Sequence, residues 1–498
     1  MSKDAGVAKA SKQPTMPDLE WDDVMRIPGL SVLSIRDRAV AALLATVMLS
    51  LIPNLSHAAV FSPQTATLDN GMQVVLVENH RAPVVSHMVW YKVGSADETQ
   101  GVSGIAHFLE HLMFKGTNDV APGEFSKIVA RNGGNDNAFT SWDYTGYFQN
   151  IAADRLDLVM KMEADRMTNL ELSDDVVLPE RDVIIEERRS RIDNNPGALL
   201  GEQMRASLYM AHPYGRSIIG WLNEMEQLST EEALDFYRKW YAPNNAILVV
   251  AGDITMDELM PLAEKYYGVI PRGDVLTRNR VKEPVQHAPR KVTMHDPRVG
   301  QASMSRYYLA PSYHSENAAD AVPLDVLSEI IGSGTTSRLF KSLVVDQSIA
   351  SSVGTFYDPV TVDLASFGVY AVPRDDVELA DLEKAVDAQI DDIIANGVTE
   401  DELARAKQKL LDSAVFARDS LSAGARVLGK SLAVGLTVEQ VESWPDRVTA
   451  VTVDQVNEAA KRVFNDKQSV TGWLMPPKDG PVSGSGPALP IDTGAGVH

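Results

Sequence analysis

Apolar and polar positions along the chain switch between two periods, and the switches mark out its elements. Gln73–Glu78 is an apolar run entered through the Asn70-Gly71 turn, and it reads as a strand. Val84–Val93 reads as a second strand, with Ser86, Met88, Trp90 and Lys92 on one face and Val85, His87, Val89 and Tyr91 on the other. Gly101–Thr117 carries a helix, and Gly123–Asn132 predicts another, stopped by Gly133-Gly134. Asn135–Gln149 alternates polar and aromatic residues over its whole length, the pattern of one half-buried strand. Asp154–Met167 has an amphipathic helical spacing, and a long helix is expected over Pro179–Ile192 behind an N-cap region at Ser173-Asp174-Asp175. A helix over Ser229–Tyr241, an apolar strand over Ala246–Gly252 and a helix over Met256–Tyr267 follow. Pro271–Arg290 is polar, contains Pro284 and Pro289, and reads as a linker.

The second half repeats the first more faintly. Ser229–Gly252 aligns without gaps on Thr452–Met475, so that Tyr241 meets Phe464 and Lys239 meets Arg462. A helix followed by a strand therefore closes each half, and the expected fold class is α+β, two related α/β domains with mixed sheets and helices packed on one face. The domains are expected over 60–270 and 291–475, with the linker at 271–290. The tail 476–498 is rich in Pro and Gly and reads as disordered.

The amino terminus has a different character. Arg36 and Arg38 precede the apolar run Ala39–Pro53, and Ser56 and Ala58 stand where a signal cleavage site has small residues. Residues 1–58 thus read as a leader, with Met25 as a possible true start, and the mature chain begins near Ala59. The run is short for a membrane span. A buried helix is the alternative reading. Export places the protein in the periplasm of a Gram-negative source, with no stable membrane span after leader removal.

At 498 residues the chain is long enough for more than one domain. A formal net charge of -22 argues against nucleic acid or an anionic membrane surface as partner. There is no cysteine, so any zinc site must be built from His and carboxylate.

The chemistry concentrates in GVSGIAHFLEHLMFKGT, Gly101–Thr117. On a helix His107, Glu110 and His111 share one face, in the H-x-x-E-H order. Two imidazoles are good zinc ligands, and the carboxylate between them is placed to take a proton from water. By itself the pattern is equally compatible with a hydrogen-bonded histidine pair in a core. A third protein ligand has to come from elsewhere. On the predicted helix Pro179–Ile192, Glu180, Val183, Ile184 and Glu187 fall on one stripe, and carboxylates among β-branched apolar residues need a partner or a metal. Glu187 is the expected third ligand, with Glu180 one step outside it, whereas Glu186 points about 100° away toward the arginines that follow. A solvated charged helix is the alternative. Likewise, Asn135–Gln149 reads either as an ordinary strand or as a sheet edge that accepts an extended peptide.

With AHFLEHLMFKGT, and ERDVIIEE further on, the chain resembles the pitrilysin/insulinase family of zinc metallopeptidases, which includes the mitochondrial processing peptidases. The resemblance runs from about Thr65 to Met475. It implies one Zn²⁺ per chain on His107, His111 and Glu187, with Glu180 in support and Glu110 as general base. It also implies a peptide substrate lying on the strand of Asn137, Ala138, Phe139 and Thr140. His212-Pro213-Tyr214-Gly215 resembles a recurring family segment, for which a structural role is expected.

A chain of this length resembles half of the family's clamshell. Family members hold the substrate carbonyl with an Arg and a Tyr seven positions apart, and the matching segment here, Gly332–Val353, has Val344 and Ser351 instead. The resemblance therefore implies a heterodimer with a related subunit that lacks the zinc motif and carries the Arg and Tyr; a homodimer is the alternative. A non-catalytic scaffold or peptide-binding subunit of the same fold is the competing functional class.

Overall fold

The computed structural model describes residues 60–274 and 277–477. The expected leader and the tail beyond Pro477 lie outside the described residues. The first half runs β1 (Gln64–Thr67), β2 (Gln73–Glu78), β3 (Val84–Tyr91), α1 (Ile105–Leu112), α2 (Glu124–Arg131), β4 (Asn135–Thr140) and β5 (Thr145–Ala152). It continues with α3 (Leu156–Thr168), α4 (Asp174–Arg188), α5 (Pro196–Leu208), α6 (Thr230–Trp240), β6 (Ala246–Gly252) and α7 (Met256–Ala263). The second half contains β7 (Arg290–His295), β8 (Ser303–Ala310), α8 (Ala321–Gly332), β9 (Ala350–Tyr357) and β10 (Ala365–Pro373). Helices α9 (Leu379–Asn396), α10 (Glu400–Ala417), α11 (Leu421–Ala433) and α12 (Val453–Val463) follow, and β11 (Ser469–Met475) ends it.

Two mixed sheets carry the fold, with strand orders β1-β2-β6-β3-β5-β4 and β7-β11-β8-β10-β9. From β2 and β7 onward the two orders correspond strand for strand. In each, the closing strand inserts parallel to one earlier strand and antiparallel to the other. The local chemistry repeats as well. Ser229 and Thr452 cap α6 and α12 through capping boxes with Glu232 and Gln455, and Tyr241 and Phe464 are the buried residues that end those helices. Each such cap is worth about 1 kcal/mol.

The stretch Asn135–Gln149 departs from expectation. It forms two arms of a hairpin, β4 and β5, paired Asn137↔Phe148 and Thr140↔Thr145. Asp143 holds the chain out of the ladder between them: its side chain is 2% exposed, accepts from Tyr214 Oη at 2.6 Å and pairs with Arg280 at 2.5 Å. These partners are far away in the chain, so an alternating pattern could not announce the break. The long helix also differs. It starts at Asp174 with Pro179 inside it and passes into a π-turn at Arg189–Asp193. Val183, expected on the inward stripe, is 49% exposed, because the buried stripe is centred on Val177, Ile184 and Arg188.

One face of the first sheet packs on α1, α3 and α6 through Leu76, Val89, Phe108, Leu109 and Leu248. Its other face is covered from the second half: Ala425, Leu428 and Leu432 of α11 lie against Val75, Met88, Trp90 and Val249. The second sheet is treated the same way. Leu200, Met204 and Leu208 of α5 cover Tyr307, Val470 and Leu474. Each half thus lends a helix to the other, beyond the helices expected on one face. Glycine permits both crossings: a Cβ at Gly429 would collide with Trp90 Nε1, and one at Gly472 would collide with Met204 Sδ.

Candidate metal centre

Helix α1 enters the core through a left-handed turn. Gly104 stands at its N-cap with φ 89°, where a Cβ would meet the Ile219 carbonyl at 2.5 Å. The orphan N–H groups that open a helix need acceptors. Here the buried Glu98 carboxylate accepts from Gly104 N at 3.1 Å and from Ala106 N at 3.0 Å. Ile105, Phe108, Leu109 and Leu112 then point into the core, which leaves His107, Glu110 and His111 facing α4 and β4.

The distant glutamate arrives from α4. Glu187 Oε2 lies 3.4 Å from His107 Nε2 and 3.2 Å from His111 Nε2. One donor atom from each of the three residues falls within 4.8 Å of the others, and among the described residues this is the one such cluster of three. Neither Glu187 Oε2 nor the buried His107 Nδ1 has a hydrogen-bond partner among the described residues. Tetrahedral zinc, with bonds of about 2.0–2.1 Å to N and O, sets its ligand atoms about 3.3 Å apart. The oxygen stands at that spacing from each of the two nitrogens, and a buried carboxylate oxygen aimed at two imidazoles without a hydrogen bond to either is a cradle for a cation. The donor set fits Zn²⁺.

The neighbours orient these groups. His111 Nδ1 donates to Glu180 Oε1 at 3.0 Å, which turns Nε2 toward Glu187, and Lys115 Nζ pairs with the other Glu180 oxygen. Arg191 Nη2 holds Glu187 Oε1 at 2.9 Å. At the end of α4, Arg188 is buried against Glu202 at 2.8 Å and the Gly220 carbonyl at 2.7 Å, which locks the turn that presents Glu187. Glu110 Oε2 accepts from Thr140 Oγ1 at 2.5 Å, tying the motif to β4. Asn137 and Asp136 open onto a cavity of about 300 Å³ bordered by Glu110, His111, Lys115 and Glu180.

Burial pushes the Glu110 carboxyl up to about 7, against the Thr140 hydrogen bond that holds it down. His107 is pulled down to about 4 by burial and by His111. Burial also disfavours charge on His111, yet its contacts with Glu180 and Glu187 outweigh it and raise the ring to about 9. At Glu187 burial pushes upward, but His111, His107 and Arg191 outweigh it and hold the carboxyl at about 2. Glu110 is therefore a carboxyl poised to exchange protons near neutral pH, and Glu187 is a permanent anion facing nitrogen donors.

All of the residues expected from sequence meet at this place: His107, Glu110, His111, Glu180 and Glu187 around one point, and Asn137–Thr140 on the adjacent sheet edge. Three partners were not read from sequence. Arg191, four residues after Glu187, carries a signal in its i, i+4 spacing, while Glu186 pairs, as its position predicts, with one of the arginines that follow, Arg189. Lys115 lies four residues after His111, beyond the end of α1. Glu98 gave no signal, since an acidic residue in a polar loop looks solvated. At the segment matching the family's Arg and Tyr, Val344 packs against the second core and Ser351 Oγ donates to the carbonyls of Val372 and Pro373.

A duplicated α+β fold with an H-x-x-E-H helix and a glutamate from a second helix is the architecture of one peptidase class. Residues 73–221 match the family model described as insulinase (peptidase family M16), and residues 227–410 match that described as the peptidase M16 inactive domain. The chain is 32% identical over 438 residues to the zinc protease PqqE of Helicobacter pylori, covering 87% of this chain and 98% of that protein. The chain belongs to the insulinase family, peptidase family M16. It superposes on the crystal structure of a protease from Helicobacter pylori with TM-score 0.78 at 31% identity, over 83% of this chain and 99% of that one. It shares its fold with the first half of the periplasmic protease PqqL from Escherichia coli, at TM-score 0.69 and 22% identity, over 83% of this chain and 92% of that one.

Proposed function

We propose that this chain is the zinc-bearing, catalytic subunit of an exported metalloendopeptidase that hydrolyses peptides or unfolded polypeptides. The convergence of His107 Nε2, His111 Nε2 and Glu187 Oε2 carries the reading. His107, His111 and Glu187 would hold one Zn²⁺, with Glu180 orienting His111. Zinc bound there supplies Lewis acidity, which lowers the pKa of water and polarises a carbonyl. Glu110 takes the proton of the attacking water and passes it to the leaving amine, and its elevated pKa suits both transfers. Thr140 orients Glu110 while the backbone of Asn137–Thr140, at the free edge of the sheet, pairs with the extended peptide.

Val344 and Ser351 offer no donor suited to the substrate carbonyl, so a related subunit supplies the Arg and Tyr in a heterodimer. The chain matches 47% of the full-length periplasmic protease PqqL, in keeping with half of a two-part assembly. Export rests on the leader-like residues 36–58. The competing reading is a peptide-binding scaffold. The match to the inactive domain falls on residues 227–410 and leaves the half with H-x-x-E-H untouched, which favours catalysis.

The test is to purify the mature chain alone and with related subunits of its source, then measure zinc content and peptide cleavage. Bound zinc with cleavage that rises sharply on adding a partner supports the proposal. Full turnover by the isolated chain defeats the heterodimer, and zinc without cleavage in any pairing defeats the catalytic role.

A further inference from the structure

The edge strand β4 has two faces. Ala138 packs toward the core beneath the metal centre and Thr140 bonds Glu110, whereas Phe139 and the partner of Asn137, Phe148, point to the opposite face of the sheet, which α11 covers. On that face stands Arg426 of α11. Its guanidinium carbon lies 4.6 Å from the Phe148 ring centroid and 5.6 Å from that of Phe139.

Arg426 is half-buried, and among the described residues no carboxylate pairs with it. The contrast with its own helix is sharp: Lys430, one turn on, pairs with Asp358 at 2.5 Å. Burial opposes the charge on Arg426. A guanidinium taken partly out of water and laid on aromatic rings keeps an N–H fork that suits a carboxylate bidentately. On a chain of net charge -22, an uncompensated cation at a sheet edge is a feature the bulk charge does not explain.

A peptide added to the free edge of β4 lies about 4.8 Å from it, and its side chains alternate in step with those of β4. Every second side chain faces the metal centre. The ones between come down on the Phe139 face, within reach of Arg426. We infer that Arg426 selects acidic side chains at alternate positions of the peptide held along β4. The inference rests on the reading of β4 as the peptide-binding strand. The acidic surface as a whole repels such peptides, so the preference has to be made locally, and Arg426 makes it.

The experiment uses the zinc-loaded Glu110→Gln protein and two fluorescent octapeptides, one alternating Thr and Glu and one alternating Thr and Gln, compared by fluorescence anisotropy at low salt. The acidic peptide binds about tenfold tighter, the low end for a charge-assisted pair. Arg426→Gln removes that difference and leaves the affinity for the Gln peptide unchanged, and Arg426→Lys restores part of it with an unchanged melting temperature. Equal affinities with Arg426 in place, or a preference that survives Arg426→Gln, overturn the inference alone. Failure of both peptides to bind defeats the peptide-strand reading, and the inference with it.

Discussion

Arg191 Nη2 lies 2.9 Å from Glu187 Oε1, the carboxylate oxygen turned away from the histidines. The pair spans the junction where α4 passes into a π-turn, and it leaves Oε2 as the oxygen that faces His107 and His111. Arg191→Met frees the carboxylate to rotate. Zinc affinity, measured by competition with a chelator, should fall about tenfold, the low end for loss of an outer-shell partner. Unchanged affinity would show that α4 alone sets the angle.

Removing Glu187 itself is more severe. Glu187→Ala should lose stoichiometric zinc, whereas Glu110→Gln should retain it and lose hydrolysis by about 10²-fold or more. Metal analysis beside a peptide assay separates the two. Zinc retained with undiminished turnover in Glu110→Gln would remove Glu110 from the chemistry.

The Thr140 hydrogen bond holds the Glu110 carboxyl below where burial alone would put it. Thr140→Val should raise that pKa. A general base works in its ionised form, so the acidic limb of the kcat/KM profile should move to higher pH. An acidic limb left in place would place the titrating group elsewhere.

Glu98 yields a stability prediction. Burial raises its carboxyl from 4.5 to about 8, in spite of the two backbone N–H groups it accepts. Between those values the folded chain keeps a proton that the unfolded chain has released. Stability therefore declines as pH rises from about 4.5 to about 8 and levels off above. In Glu98→Gln this component of the decline should disappear, which thermal melts across that range would reveal. Parallel slopes in the two proteins would contradict it.

At the crossing of α11 over the first sheet, Gly429 leaves no room for a methyl group beside Trp90. Gly429→Ala should cost roughly 1–3 kcal/mol by overpacking, in spite of the better helix propensity of alanine. Denaturant unfolding would measure it. A neutral or stabilising outcome would mean that the indole moves freely.

What the sequence revealed of the site followed from range. His107, Glu110 and His111 are three and four residues apart, so helix geometry alone brings them together. Glu187 was legible because Glu180 and Ile184 mark its stripe, although Val183 proved to lie at the exposed margin. Beyond a few turns the pattern failed. Asp143 breaks the Asn135–Gln149 run through Tyr214 and Arg280, which alternation does not encode. The duplication could be read from the helix and strand that close each half, because Ser229 and Thr452 do the same capping work. Which helix covers which sheet could not, since α5 and α11 bury apolar faces that would fit either core.

That mutual loan of α5 and α11 has a consequence for how the polypeptide acquires its shape. Severed at residues 271–289, either portion would present a sheet with one apolar surface bare to water and a helix with nothing to lie on. Neither product of such a cut should be soluble alone, and co-expressed together they should reassemble. A ribosome making this chain therefore cannot finish the half that carries the H-x-x-E-H helix until nearly the last helix has emerged, which keeps that half incomplete during its own synthesis.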